Sequence, residues 1–255
     1  LFVGIDAYPG GVAPRPLKGA VSDVAMIKRA LAQTRDLRLD RLLLNRSAGG
    51  DCRAANAVST TLINGCATRD AILAALDDRI ARAAAGDHVL FYFAGHGALT
   101  STSGPDTQAG QSSMLVAVDS LGSDCTDGIL DVELRDRLAA ATARGVSVVT
   151  IFDACNSGTA TRDVRPDSAT RGLGAWRRPA APRPAAAAPA VLPVARDVAY
   201  LVHMAAAGDD AIAVELAFPD DRGGTRVHGV FSRALDVALR RGARRSYRAI
   251  MADVR

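Results

Sequence analysis

Aromatic residues make up only 4% of this 255-residue chain, which removes the stacking platforms that single-stranded nucleic acid needs. Long apolar runs are missing as well. None approaches the roughly eighteen residues that span a bilayer, so no membrane partner is expected. The four cysteines, at 52, 66, 125 and 155, form no C-x-x-C pair, and a zinc ribbon or thioredoxin-type motif is thereby excluded. Histidine is scarce, with four in the chain. No internal repeat is evident. The formal charge of +4 is not a general basic surface, because much of it sits in Arg162, Arg165, Arg171, Arg177, Arg178, Arg183 and Arg196, among prolines and alanines. No nucleic-acid partner is expected.

What is present is enough apolar residue, 49%, to bury a core in one domain. Leu1–Asp6 reads as a short strand, and Ala7–Pro16 is rich in turn formers. Val21, Val24, Ala25, Ile27, Ala30 and Leu31 then recur at helical spacing, with Ser22 or Asp23 suited to the helix start. Arg41–Leu44 reads as a strand and Asn45–Gly65 as a long polar loop. Thr68 opens a helix that Gly86 stops, and strand Val89–Ala94 follows. Leu99–Ser113 is a Ser/Thr/Gly-rich loop, Met114–Val118 a short strand, Asp131–Ala143 an amphipathic helix, and Val148–Phe152 a buried parallel strand. The proline-rich stretch Pro166–Val194 fits neither a helix nor a central strand and reads as an extended linker. Val198–Met204 is another strand, and Phe231–Leu239 and Ser246–Val254 are helical. Alternating strands and helices predict a mostly parallel central sheet with helices on both faces. The chain opens inside a strand pattern and stops inside a helical one, so it reads as a domain cut from something longer.

Two strands end unusually. Val148–Phe152 runs into Asp153-Ala154-Cys155 and then Asn156-Ser157-Gly158, while Val89–Ala94 runs into Gly95-His96-Gly97. Strand carboxyl ends are where open α/β sheets place their ligands. A lone cysteine there is more often a small buried apolar residue than a nucleophile. The small-residue turn after Cys155, however, suits exposure of a reactive sulfur, and an imidazole nearby would lower its pKa. His88 reads as a surface residue, His203 as a satisfied core histidine and His228 as a helix-entry residue. His96 alone sits between glycines at a strand end, where the backbone turns sharply and approaches a substrate closely. A Cys155–His96 nucleophile–base pair is therefore predicted, with the amides of Gly97 and Cys155 as oxyanion hole. Cys52, Cys66 and Cys125 lie in polar sequence and are expected as unpaired thiols, with a Cys52–Cys66 bridge as the alternative if the protein is exported.

F-Y-F-A-G-H-G at 91–97 and F-D-A-C-N-S-G at 152–158 closely resemble the two signatures of caspase-like cysteine peptidases, on the metacaspase and bacterial orthocaspase side. G-I-D-A-Y, L-K-G-A-V-S-D-V at 17–24, A-G-D-D-A-I-A-V-E at 207–215 and H-G-V-F-S-R-A-L at 228–235 resemble further segments of that family. The resemblance implies a caspase-like three-layer α/β sandwich in a single peptidase domain. Its parts would be a large-subunit-like 1–164, a Pro/Ala/Arg-rich linker 165–196 and a small-subunit-like 197–255, cut short at its end. It implies a thiol endopeptidase in which His96 is the base and Cys155 forms a thioester acyl-enzyme. It places Asp23 and Asp153 in the primary specificity pocket, where two carboxylates favour Arg or Lys in a protein or peptide substrate. The linker arginines would then be self-processing sites or simply a solvated spacer.

The sequence departs from metacaspases in Asn156 and Ala154, where that family commonly has His and Ser. It also departs at Gly110-Gln111-Ser112-Ser113, where the calcium-binding members carry acidic residues. Asp131 and Asp163 remain as candidate calcium ligands, but a hard cation wants several oxygens, preferably carboxylates, so a calcium requirement is left open and not favoured. No cofactor and no resident metal site are expected, and the location is expected to be cytoplasmic. Two rival readings stay open: a catalytically silent caspase-fold interaction module, and a related thiol hydrolase or transpeptidase with another recognition rule.

Overall fold

The computed structural model describes residues 1–9, 16–35, 39, 52–101, 111–120, 128–155, 169–177, 199–207, 212–220, 223–242 and 245–254. The first strand is β1 (Phe2–Gly4), followed by helix α1 (Ala20–Arg35). The start of α1 is served neither by Ser22 nor by Asp23. Asp6, from the preceding strand end, accepts hydrogen bonds from the amides of Ala20 (2.8 Å) and Val21 (3.4 Å). Burial pushes the Asp6 carboxyl up to about 6.

The stretch read as a long loop contains two strands, β2 (Arg53–Ala55) and β3 (Thr60–Ile63). It is closed by a Cys52–Cys66 disulfide with Cα atoms 5.5 Å apart, which corrects the expectation of unpaired thiols there. The predicted strand at 41–44, and Cys125, lie outside the described residues. Helix α2 (Arg69–Arg82) starts where predicted, with the Thr68 hydroxyl accepting from the Ala71 amide. Then come β4 (His88–Ala94), β5 (Gly97–Ser101), β6 (Gln111–Leu115), β7 (Ile129–Leu130), α3 (Asp131–Ala143) and β8 (Ser147–Asp153). Of the predicted linker only residues 169–177 are described, and these carry two strands, β9 (Ala169–Thr170) and β10 (Gly172–Arg177); the rest of it lies outside the described residues. The chain continues with β11 (Leu201–Ala205), β12 (Val214–Pro219), β13 (Thr225–Gly229), α4 (Val230–Arg240) and α5 (Tyr247–Val254).

The main sheet has the order β11-β8-β4-β1-β3-β2, parallel throughout except for β2 at one edge. Period-two alternation sends neighbouring side chains to opposite faces. Val3, Phe91, Phe93, Val148 and Phe152 pack with Ile72 and Leu76 of α2 and Leu134 and Leu138 of α3. Phe2, Tyr92, Val149 and Ile151 pack with Val24 and Ile27 of α1, Leu235 and Leu239 of α4, and Ile250 of α5. Helices therefore cover both faces, and the three-layer α/β sandwich expected from the sequence is the observed fold. Two small sheets, β10-β5-β6-β7 and β13-β12-β9, stand above the carboxyl ends of the central strands. No helix among the described residues is long and apolar enough to cross a membrane.

Candidate active site

β4 and β8 are adjacent and parallel, with Ala94 opposite Asp153. His96 and Cys155 each follow two residues later, so the two strands deliver them at the same level of the sheet. The loops are tied together, since the Gly95 amide donates to the Asp153 carbonyl at 3.3 Å. A Cβ on Gly97 would collide with the Cys155 carbonyl oxygen, and glycine is what permits this approach. His96 is fully buried. Its amide donates to the Tyr8 hydroxyl (2.8 Å), and its ring lies on the Tyr8 ring with centroids 4.9 Å apart.

Cys155 is also buried. Its Sγ donates to the Ala213 carbonyl (3.3 Å) and accepts from the Ala213 amide (2.9 Å). Burial, above all, pushes the thiol up to about 11. The sulfur is therefore a neutral thiol near pH 7, and any nucleophilic use of it needs a base at the moment of attack.

The amides of Gly97 and Cys155 converge on one oxygen. Both donate to the carbonyl of Arg171, at 2.9 and 3.2 Å. Two backbone donors aimed at a single point are what an oxyanion hole requires.

The side chain of the same Arg171 runs into a closed acidic pocket, where it is fully buried. Its Nη2 lies 2.6 Å from Asp23 Oδ2 and 3.4 Å from Glu215 Oε2, and its Nη1 lies 3.1 Å from Asp153 Oδ2. Each carboxylate is held by further donors. Asp23 meets His228 Nδ1 at 2.7 Å and the Gly229 amide at 3.0 Å. Asp153 accepts from the Ser232 amide (3.1 Å) and hydroxyl (2.5 Å), and that hydroxyl also meets Tyr92 Oη at 2.6 Å. Glu215 accepts from the amides of Lys18 (2.8 Å) and Gly19 (3.0 Å). A Cβ on Gly229 would collide with the Asp153 carboxylate, so the pocket floor has room only for glycine there.

Burial raises the Asp153 carboxyl above the ordinary range, and the Arg171 guanidinium beside it works against that rise. Burial likewise opposes the charge on Arg171, but Asp153 and then Asp23 hold its pKa above the ordinary guanidinium value. Three acids about one cation make a site that strongly prefers to be filled by a positive group.

The sequence-predicted residues thus fall into one constellation. His96, Cys155 and the Gly97 amide sit at the two strand ends, with Asp23 and Asp153 on the floor beneath. Glu215, His228 and Ser232 belong to it without having been singled out. Asp23 is not a helix cap, and His228 is not a surface helix-entry residue but a buried partner of Asp23. His203 is not in the core. It is exposed, with Nδ1 2.8 Å from the Thr150 hydroxyl. A cavity of about 310 Å³ between α3, β8 and β11 is lined by none of the residues of the constellation. Among the described residues no group of His, Cys, Asp and Glu has the arrangement of a metal site, and Asp163 lies outside them.

Known proteins are similar to this chain in sequence and in fold. Metacaspase-1B of Aspergillus terreus is 30% identical over 161 residues, covering 63% of this chain and 38% of that protein. Metacaspase-1 of Eremothecium gossypii is 27% identical over 160 residues, covering 63% of this chain and 32% of that protein. The chain thus spans about a third of the length of these curated relatives. Among solved structures, a Geobacter sulfurreducens protein matches with a TM-score of 0.60 at 16% identity, covering 99% of this chain and 85% of that one, a likeness of fold. Residues 1–163, which include both strand ends, match the family model of the metacaspase, peptidase C14 domain, and the chain therefore belongs to that family.

Proposed function

We propose that the chain is a cysteine endopeptidase that cleaves after arginine or lysine. The observation that carries this reading is the convergence on Arg171. A peptide carbonyl rests on the Gly97 and Cys155 amides while its own basic side chain fills the pocket of Asp23, Asp153 and Glu215. In the proposed reaction, His96 takes the thiol proton as Cys155 Sγ attacks the substrate carbonyl carbon. The two amides stabilise the developing oxyanion, and His96 returns the proton to the leaving amine. Water then splits the thioester, giving a carboxylate and restoring the thiol. A thiol held near 11 fits proton removal within the attack rather than a standing thiolate.

The fill of the pocket disfavours a rule based on acidic residues, because a substrate carboxylate would meet three like charges. No cofactor enters this mechanism. The Cys52–Cys66 disulfide favours an oxidising compartment over the cytoplasm.

The test is turnover of short fluorogenic peptides ending in Arg, Lys or Asp, with and without calcium, by the wild type and by Cys155→Ala. Arg or Lys turnover that vanishes in the variant is the expected result, and the calcium arm decides the metal. Turnover of Asp peptides alone would sink the pocket assignment. Absence of all turnover would favour an interaction module or a thiol enzyme with another acceptor.

A further inference from the structure

Tyr8 touches the candidate base twice. Its hydroxyl accepts from the His96 amide at 2.8 Å, and its ring lies against the His96 imidazole, with centroids 4.9 Å apart and planes at 47°. The same hydroxyl donates to the Val116 carbonyl at 3.4 Å, and the Val116 amide donates to the His96 carbonyl at 3.0 Å. Both main-chain polar groups of His96 are thus held, one by the tyrosine and one by the residue the tyrosine itself holds. Three strand ends meet at this point: β1 leads into Tyr8, β4 into His96 and β6 into Val116. The chain arriving at Tyr8 is fixed in turn. The Ile5 amide donates to the Ala94 carbonyl at 3.0 Å, and the Asp6 carbonyl accepts from the Leu17 amide at 2.9 Å.

A ring that only filled space would need neither contact. Tyr8 packs against Ala98, Met114, Val116 and Leu130, and a phenylalanine would fill that place as well. Burial, above all, holds its hydroxyl well above the ordinary tyrosine value, so it stays protonated and keeps donating to Val116 at any working pH. A Cβ on Gly95 would lie 2.8 Å from the Tyr8 hydroxyl oxygen, so the glycine before His96 is what lets the tyrosine reach the His96 amide. The ring has a use of its own. When His96 takes the thiol proton it becomes an imidazolium, and a cation within about 6 Å of an aromatic centroid is attracted by the ring. The 4.9 Å separation falls inside that reach.

We propose that Tyr8 is the positioning residue for His96: its hydroxyl fixes the peptide that carries the imidazole, and its ring steadies the imidazole and favours the imidazolium formed during attack. This rests on the reading of His96 as base. The proton moves from Cys155 Sγ to His96 and on to the leaving amine, while Tyr8 keeps its own throughout. Among the described residues the hydrogen-bond partners of the Tyr8 hydroxyl are His96 and Val116. The carboxylates that hold a basic side chain, Asp23, Asp153 and Glu215, stand on α1, β8 and β12. Tyr8 therefore acts on the chemical step and leaves the grip on substrate alone.

Two measurements test this separately from the peptidase reading. The first compares steady-state cleavage of an Arg peptide by wild type, Tyr8→Phe and Tyr8→Leu, each normalised to folded protein. Tyr8→Phe keeps the ring and removes the hydroxyl, and kcat should fall about tenfold. Tyr8→Leu removes both, and kcat should fall about a hundredfold, the order that a small misplacement of a reacting group costs. KM should stay within about twofold in both. A merely structural residue would lower the folded fraction and leave kcat per folded molecule as it was. Wild type that turns over Arg peptides, with kcat unchanged in both variants, overturns the proposal and leaves the peptidase reading standing. A rise in KM with kcat kept would place Tyr8 in substrate binding and overturn it as well.

The second measurement needs no catalysis. The His96 imidazole is titrated by NMR in Cys155→Ala, with Tyr8 intact and with Tyr8→Phe or Tyr8→Leu. The charged groups that act on this corner, Asp6, Asp153 and Arg171, are the same in all three. Tyr8→Leu should lower the midpoint by about half a pH unit, the size of a cation–π attraction, and Tyr8→Phe should leave it in place. Exchange of the His96 amide should quicken in Tyr8→Phe, which removes its acceptor. Equal midpoints overturn the part given to the ring, and equal exchange overturns the part given to the hydroxyl, even if every peptide assay is silent.

Discussion

Residues 52–66 and 169–177 both fall where the sequence pattern reads as loop, and both carry short strands. They are secured in opposite ways. The first is closed by a covalent bond, Cys52–Cys66, and adds β2 and β3 to the edge of the main sheet, away from His96 and Cys155. The second is held by hydrogen bonds and by one guanidinium among three buried carboxylates, in the middle of the candidate site. A disulfide acts mainly on the unfolded chain and leaves the folded one no alternative. An ion-paired strand can be exchanged for another ligand of the same chemistry. The first attachment is covalent, and the second rests on charge.

Three predictions bear on that contrast. Removing charge from the pocket should break the second attachment most strongly. Asp23→Asn together with Asp153→Asn should lower kcat/KM for Arg peptides by about a thousandfold, the order measured when desolvated charge pairs lose a partner. The same change should speed amide exchange across 169–177 while exchange across 52–66 stays as it was. If turnover of Arg peptides survives this double change, charge is not what fills the pocket.

Cys52→Ser with Cys66→Ser should cost about 3 kcal/mol of stability in urea melts, as expected for a loop of this length. Arg-peptide turnover, normalised to folded protein, should not change. A loss of turnover would tie the first region to the site and erase the distinction between the two attachments.

The smallest effect concerns the thiol. With Cys155 pushed up to about 11, its alkylation should quicken by about tenfold per pH unit as pH rises toward that value, since the thiolate is the reacting form. Arg171→Gln should raise the rate at every pH by uncovering the sulfur. A plateau near pH 7 would mean that the thiolate is already present.

The main sheet and its helices were readable because they repeat locally. β4, β8, α2 and α3 lie within a residue or a few of where periodicity puts them, and the glycine-flanked His96 and the small-residue turn at Cys155 mark the two strand ends. The rest depends on distance along the chain. Strands of three and four residues such as β2 and β3 are too short for alternation to declare itself. Asp6 caps a helix from 14 residues upstream, and His228 meets Asp23 across 205 residues. No window of sequence contains such pairs. Glu215 offered a weak signal, as the one carboxylate in the alternating run Val214–Pro219 whose side chain faces inward. Arg171 offered none beyond being one arginine among seven in its region.

The pairings of β10 with β5 and of β9 with β12 set how readily Arg171 could leave its pocket. The residue is stitched on both sides, so it is a tethered ligand, present at an effective concentration of about millimolar or more. A free basic peptide would compete with it on those terms, and the slow event in opening such a site would be the departure of a strand.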